Sequence, residues 1–130
     1  MKHKLSDHNK VYYLSHPVAP DERYTVQENL DHTVEVLSLF FEAGYRVIAP
    51  WHSLCLAKNN AQFQDDEEYR EKCLVIDCEI VDLCDGVILV GHKLSKGMKR
   101  EMEAHTNTIN LISISDKDLI DHFDAYVKSL

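Results

Sequence analysis

Short apolar runs recur along the chain and alternate with stretches of helical hydrophobic spacing. The runs are KVYYLSH (10–16), RVIAP (46–50), GVILVG (86–91) and NLISIS (110–115). Their β-branched and aromatic content, and the turn-forming residues that bound several of them, predict four β-strands. GVILVG is apolar throughout, which is typical of a central parallel strand covered on both faces.

Helical stripes separate these runs. Thr25 begins T-V-Q-E, a capping box with Glu28, and apolar residues then follow every three or four positions until Gly44. This pattern predicts a helix that ends at the glycine. The same reasoning predicts further helices over about 65–83, 97–105 and 117–128, and an irregular loop over 51–64.

The alternation of strands and helices predicts an α/β fold. We expect a three-layer sandwich with a four- or five-stranded parallel sheet of the flavodoxin or Rossmann type. Right-handed crossovers bring every strand-to-helix loop to the carboxyl edge of such a sheet, where ligands bind. Loops 13–17, 50–54 and 92–97 should therefore face one cleft. The 130 residues fit a single domain, predicted at 10–130 after a flexible segment 1–9.

Composition narrows the functional classes. The net charge of −8 argues against general nucleic-acid binding, which needs a basic surface. No apolar run approaches the length of a membrane span, and the first residues lack the apolar stretch of a signal peptide. The four cysteines contain no C-x-x-C pair, so a structural zinc site is not expected. These features predict a cytoplasmic protein that binds neither membrane nor nucleic acid.

One segment concentrates positive charge in this acidic chain. In LVGHKLSKGMKREME (89–103), an apolar strand is followed by a loop with Ser95 and Gly97 and then by a helix. Free backbone N–H groups at a helix start, beside a glycine, form an anion site. Four basic residues there indicate a bound phosphate: Lys93, Lys96, Lys99 and Arg100. The alternative is that these side chains only solvate an exposed helix.

Two carboxylates occupy the margins of apolar helix faces. Glu101 borders the face that carries Met98 and Met102, and Asp77 borders the stripe that contains Cys73 and Ile80. Charges at helix margins are more often simply solvated. Beside an anion loop, however, a carboxylate pair suits glycoside cleavage with retention, in which one group is the nucleophile and the other the acid.

These motifs together resemble the nucleoside 2-deoxyribosyltransferase superfamily, most closely its nucleotide N-glycosidase branch and phage and bacterial relatives of unknown function. The first strand leads into Y-L-S-H-P with Tyr13, and the second leads into V-I-A-P. The helix before the third strand carries Asp77. The segment S-K-G-M-K-R-E follows the superfamily pattern S-x-G-x-x-x-E with Ser95, Gly97 and Glu101. The resemblance extends over about residues 10–115.

The resemblance implies cleavage or transfer of the N-glycosidic bond of a (deoxy)nucleoside or its 5′-monophosphate. Glu101 would be the nucleophile, oriented by Tyr13. Asp77 would hold a sugar hydroxyl or protonate the leaving base, and Ser95 and Gly97 would bind the 5′-phosphate. No cofactor is implied, and a homo-oligomer is expected. Further substrate contacts are expected from the other residues at the strand ends, which are Ser15, His16, Trp51, His52 and His92.

Two other functions remain open on the sequence alone. His16 and the Trp51-His52 pair depart from the superfamily pattern, so the chain could be a nucleotide-binding or nucleotide-sensing domain without catalysis. Alternatively, His16, His52 and His92 each follow a predicted strand, and three imidazoles with an open position form a catalytic zinc site. No pair of them has a local metal-binding spacing, so no metal is predicted.

Overall fold

A parallel sheet with helices on both faces forms the framework of the protein. The computed structural model describes Leu5 and residues 9–57 and 67–130. In that part of the chain the strands are β1 (Val11–Ser15), β2 (Arg46–Ile48), β3 (Gly86–Gly91) and β4 (Thr108–Ile112). The helices are α1 (Val26–Glu42), α2 (Pro50–Ala57), α3 (Glu67–Leu83), α4 (Lys96–Glu103) and α5 (Asp116–Lys128).

The strand order creates a crevice between the two central strands. The sheet runs β2-β1-β3-β4, with all pairs parallel. The chain moves from β1 to β2 on one side and then crosses to β3 on the other, so the strand order reverses between β1 and β3. Gly91 at the end of β3 has a φ of +117°, a backbone conformation that favours glycine. A side chain there would meet Pro17 Cδ at 2.6 Å, so glycine permits the close approach of the two strand ends.

Two hydrophobic clusters lie on opposite faces of the sheet, as the alternation of side chains along a strand requires. In β1, Tyr13 points into one cluster, and Tyr12 and Leu14 point into the other. Helices α2, α3 and α4 pack on the Tyr13 face, whereas α5 and most of the buried face of α1 pack on the Tyr12 face. The predicted three-layer α/β fold is therefore confirmed, with four strands in the described part of the chain.

The predicted ends of the first helix are correct. Thr25 Oγ1 accepts a hydrogen bond from the backbone N–H of Glu28, and the Glu28 side chain accepts one from the N–H of Thr25. Gly44, just beyond the helix, has a φ of +88°, which a glycine adopts without strain. The capping box and the glycine stop therefore both operate as the sequence indicated.

Two predicted elements were wrong. The segment predicted as an irregular loop begins with α2, in which Pro50 occupies the first helical position, where its missing N–H costs nothing. The remainder of that predicted loop, and the predicted helix start at Asp65, lie outside the described residues. The fourth strand spans Thr108–Ile112 rather than 110–115, because Ser113 has a positive φ of 67° that ends the extended backbone. No helix in the described part of the chain is long and apolar enough to cross a membrane.

Candidate functional site

The carboxylate of Glu101 is buried at the carboxyl edge of the sheet, with only 5% of the residue exposed. The hydroxyl of Tyr13 donates to its Oε2 at 2.5 Å, and the hydroxyl of Ser15 donates to its Oε1 at 2.7 Å. Tyr13 and Ser15 lie two residues apart on β1, so both point to the same face of the sheet. Each carboxylate oxygen therefore has its own fixed donor, and the remaining lone pairs can face a ligand.

Glu101 lines a cavity of about 370 Å³, which we call the Glu101 cavity. Asp77 lines the same cavity from α3 and is also buried, at 3% exposed. Its Oδ1 has no hydrogen-bond partner among the described residues. A buried polar atom without a partner carries a free-energy cost, which a ligand donor or acceptor would remove. The two sequence-predicted carboxylates are therefore brought together, and one of them is available to a ligand.

Burial raises the pKa of both carboxyl groups. The pKa of Glu101 rises to about 7, chiefly through desolvation, and the hydrogen bonds from Tyr13 and Ser15 oppose the rise. The pKa of Asp77 rises to about 7 through desolvation and through the negative charge of Glu101. Hydrogen bonds with Tyr13 and Ser15 favour the ionised form of Glu101, whereas Tyr13 alone opposes the rise at Asp77, so Glu101 is the better carboxylate of the pair and Asp77 the better proton carrier.

The start of α4 forms another wall of the Glu101 cavity. Ser95 caps the helix, and its Oγ accepts a hydrogen bond from the N–H of Met98 at 3.3 Å. The hydroxyl proton of Ser95 therefore remains available for donation. The N–H groups of Lys96 and Gly97 have no partner among the described residues, and both residues line the cavity. These donors can bind an anion at the positive end of the helix dipole.

The basic residues of this segment do not all face the cavity. Lys93 and Lys96 line the Glu101 cavity, whereas Lys99 and Arg100 do not, and Lys93 forms an ion pair with Asp21 at 2.8 Å. Arg100 forms two hydrogen bonds with Glu71, at 2.8 and 3.0 Å. Lys93 and Arg100 therefore each have a carboxylate partner, and the surplus of positive charge at the helix start is smaller than the sequence indicated.

Arg70 on α3 is a cation of the site that the sequence motifs did not indicate. It lines the Glu101 cavity and is half-buried, without an ion-pair partner among the described residues. Arg70, Cys73, Leu74 and Asp77 all line this cavity. Their spacing of i, i+3, i+4 and i+7 is that of one helix face. That spacing from Asp77 was the available signal for Arg70, since residues seven positions apart lie on the same helix face, about 10 Å apart along the axis.

Trp51 and Cys55 form the wall that α2 contributes. The indole N–H of Trp51 donates to the carbonyl of Leu14 at 2.8 Å, which fixes the ring against β1 while it lines the cavity. Burial raises the pKa of the Cys55 thiol to about 12, so the thiol stays protonated at neutral pH. A protonated thiol is a poor nucleophile, which leaves Glu101 as the better nucleophile in this cavity.

The three histidines predicted at the strand ends have separate environments. His16 is buried and lines the Glu101 cavity. His52 donates from Nε2 to the carbonyl of Leu30 at 3.3 Å. His92 donates from Nε2 to Asp21 at 2.6 Å, and it does not line the Glu101 cavity. A site with all three as ligands therefore lacks support, whereas His16 lies where a substrate contact was predicted.

Comparison with known proteins identifies a family. Residues 10–113 match DUF7768, a domain of unknown function. Because the match covers most of the chain, the protein belongs to this family. No curated protein and no solved structure gives a significant match.

Proposed function

We propose that this member of the DUF7768 family cleaves or transfers the N-glycosidic bond of a (deoxy)nucleoside or its 5′-monophosphate. The observation that carries the proposal is the buried Glu101 carboxylate, which Tyr13 and Ser15 hold at 2.5 and 2.7 Å in a cavity shared with Asp77. The resemblance of S-K-G-M-K-R-E to the signature of the nucleoside 2-deoxyribosyltransferase superfamily supports the same assignment.

In the first step, a carboxylate oxygen of Glu101 attacks C1′ of the sugar and forms a C–O bond. The C1′–N bond breaks, its electron pair goes to the base, and the base nitrogen takes a proton from Asp77. The raised pKa of Asp77 favours this role, because part of the population carries the proton near pH 7. A covalent intermediate divides one difficult displacement into two easier ones.

In the second step, water or another base attacks C1′ from the face that the first base has left. When water attacks, its proton passes to the Asp77 carboxylate, the C–O bond to Glu101 breaks, and the free sugar is released. Both residues then regain their starting protonation states. Tyr13 and Ser15 hold Glu101 in place through both displacements, which limits the motion needed between the steps.

In this proposal the phosphate of a 5′-monophosphate binds at the wall of the cavity that the start of α4 forms. The available donors are the Ser95 hydroxyl and the N–H groups of Lys96 and Gly97, and the side chain of Arg70 lies on the same cavity wall as Asp77. Charge-assisted hydrogen bonds of this kind are stronger than neutral ones and would favour the monophosphate over the nucleoside.

The direct test is incubation with all common nucleosides, deoxynucleosides and their 5′-monophosphates, followed by chromatography of the released base. We expect free base from at least one of these substrates, and none from the Glu101→Gln variant. Base release at the same rate by both proteins would contradict the assignment of Glu101. An added second base distinguishes transfer from hydrolysis, since transfer yields a new nucleoside.

One observation favours a second function, nucleotide sensing without catalysis. A Glu101 pKa of about 7 leaves much of the carboxyl protonated at neutral pH, which weakens a nucleophile. A sensing domain would show a rise in melting temperature with a nucleotide and no released base. The same nucleotide panel, read by thermal melting, therefore separates the two functions.

The proposal also includes a homo-oligomer. The layer that contains the site exposes several apolar side chains on α2 and α3, with exposed fractions of 59% for Leu56, 46% for Ile76 and 85% for Leu83. Burial of such side chains against a second copy would be favourable. Light scattering after size-exclusion chromatography should give a mass above that of one 15.0 kDa chain.

A further inference from the structure

A second cavity, of about 520 Å³, shares His16 with the Glu101 cavity. Four carboxylates line it, and we call it the acidic cavity; they are Glu28, Asp31, Glu35 and Asp116. Arg23 is the one Lys or Arg among its described lining residues, and its guanidinium lies 5.4 Å from the ring centre of Tyr24. The excess of negative charge favours a cation in this cavity.

Three side chains in the acidic cavity converge closely enough to share one ion. His32, Glu35 and Asp116 each offer a ligand atom, and these atoms lie within 4.8 Å of one another. His32 Nε2 lies 2.9 and 3.0 Å from the two oxygens of Asp116. Ligands that share an ion at bond lengths of about 2.1 Å lie about 3–4 Å apart, so only small side-chain rotations are needed.

The backbone places these three groups together. His32 and Glu35 are three residues apart on α1, so they lie on the same face of that helix. Asp116 is the first residue of α5, and this helix begins beyond the end of β4. The site therefore joins two helices on the Tyr12 face of the sheet, apart from Glu101 and Asp77.

A chain of hydrogen bonds orients the His32 ring for metal binding. His16 Nδ1 lies 2.8 Å from the carbonyl of Pro17, and since a carbonyl only accepts, this nitrogen carries the hydrogen. His16 Nε2 lies 2.8 Å from His32 Nδ1 and can accept a hydrogen from it. His32 Nε2 then faces Asp116, where it donates to the carboxylate when the ring is protonated and offers its lone pair to a cation when the ring is neutral. Metal-binding histidines are commonly fixed in this way through their second nitrogen.

We propose that His32, Glu35 and Asp116 bind one divalent transition-metal ion, with His16 as the residue that positions His32. One imidazole and two carboxylates suit Zn²⁺ or Mn²⁺ better than Mg²⁺ or Ca²⁺, which prefer oxygen ligands alone. Water molecules complete the coordination. None of the three ligands lines the Glu101 cavity, so their substitution tests metal binding separately from the proposed glycosidic reaction, although the positioning residue His16 lines both cavities.

Calorimetric titration of the full chain with Zn²⁺ and with Mn²⁺ tests the proposal. We expect one ion per chain, bound at least about 10-fold more tightly than Mg²⁺. His32→Asn should weaken binding at least about 100-fold, and Glu35→Gln at least about 10-fold, since ligand changes cost at least as much as changes in the surrounding hydrogen bonds. His122→Asn is the matched control, because His122 is exposed on α5 and should leave affinity unchanged.

Two further controls keep the result decisive. His3 and His8 are replaced by Asn in every protein tested, so that the N-terminal histidines cannot supply the binding. Glu35 is exposed, so Glu35→Gln should fold even if His32→Asn does not. Absence of saturable binding in the parent protein would overturn the proposal. Equal affinity of the parent and Glu35→Gln would also overturn it.

Discussion

Tyr13 and Glu101 are 88 residues apart in the sequence, yet the tyrosine hydroxyl donates directly to the glutamate carboxylate at 2.5 Å. The contact joins the middle of β1 to the last turn of α4, and both residues are almost fully buried. A buried, charge-assisted hydrogen bond fixes the carboxylate more firmly than packing alone. The orientation of the proposed nucleophile therefore depends on the register of a strand that is distant in sequence.

Replacement of Glu101 by Gln should preserve the fold and abolish most of the activity. The amide is nearly the same size and its oxygen can still accept from Tyr13, but it cannot form the covalent intermediate. We expect a loss of turnover of about 10³-fold or more, measured by base release. Glu103→Gln, at an exposed position of the same helix, should keep normal turnover. Comparable losses of turnover in both variants would indicate a defect in the helix and would contradict the assignment of Glu101 as the nucleophile.

Tyr13→Phe should shift the pH dependence of the reaction. The hydrogen bond from Tyr13 opposes the burial-induced rise in the pKa of Glu101, so its loss should raise that pKa further. If the ionised carboxylate is the nucleophile, the acid limb of kcat/KM should move to higher pH. Tyr12→Phe is the control, because that ring lies on the opposite face, 5.2 Å from Phe123. If the acid limb of kcat/KM is unchanged in Tyr13→Phe, the hydrogen bond from Tyr13 does not control the pKa of Glu101.

Local patterns predicted those parts of the structure that local forces determine. The capping box at Thr25 and the all-apolar run of β3 identify a helix start and a central strand without any information on tertiary contacts. The alternating order of strands and helices along the chain was sufficient to predict the parallel sheet. It also predicted that the ends of β1 and β3 lie at one edge of that sheet. The resemblance to the nucleoside 2-deoxyribosyltransferase superfamily then grouped Tyr13, Asp77 and Glu101 as one predicted site.

Features that depend on tertiary contacts were not predicted. Helix α2 has weak amphipathic spacing, and Trp51 fixes it through a hydrogen bond to Leu14, which the local sequence does not reveal. The contact between His32 and Asp116 joins residues 84 apart and requires the packing of α1 beside α5. Arg70 could have been found, but only after Asp77 had been placed in the cavity.

Asp77→Asn should stabilise the protein at high pH and have little effect at low pH. The pKa of Asp77 is raised from 3.8 to about 7, so the folded state holds a proton that the unfolded state loses in this range. The free energy of unfolding therefore falls as pH rises from about 4 to about 7. At about 1.4 kcal/mol per pKa unit, the variant should gain up to about 4 kcal/mol at pH 8.

Denaturant unfolding at pH 4 and at pH 8 measures this difference. Asp82→Asn is the matched control, because Asp82 is exposed on the same helix. It should show no comparable gain at pH 8. A stability difference for Asp77→Asn that is the same at both pH values would exclude the protonated carboxyl as its source.

Gly91→Ala should destabilise the fold, whereas Gly97→Ala should be tolerated. Gly91 has a φ of +117°, and a Cβ there would lie 2.6 Å from Pro17 Cδ. A non-glycine residue in such a conformation costs about 1–3 kcal/mol before the clash is counted. At Gly97 a Cβ would meet Leu74 Cδ2 at 3.5 Å, an ordinary contact. Thermal melting compares the two variants, and equal melting temperatures would contradict the strain at Gly91.

The proposed phosphate-binding donors predict a preference for the monophosphate over the nucleoside, and this preference can be measured without catalysis. With Glu101→Gln as the parent, so that no substrate is consumed, a nucleoside 5′-monophosphate should bind more tightly than its nucleoside. Each charge-assisted hydrogen bond contributes about 1.5–3 kcal/mol, so one bond alone gives about 10- to 100-fold. The donors are the start of α4 and Arg70.

Arg70→Gln should therefore remove much of this preference while leaving nucleoside affinity nearly unchanged. Lys99→Gln is the matched control, because Lys99 is exposed on α4 and does not line the Glu101 cavity. Its loss removes the same charge from the same region of the protein, so any equal effect would reflect long-range attraction rather than contact. Calorimetry in 0.15 M salt limits that attraction, since the Debye length is then about 8 Å. Equal affinities for nucleoside and monophosphate in the parent protein would show that this end of the cavity binds no phosphate.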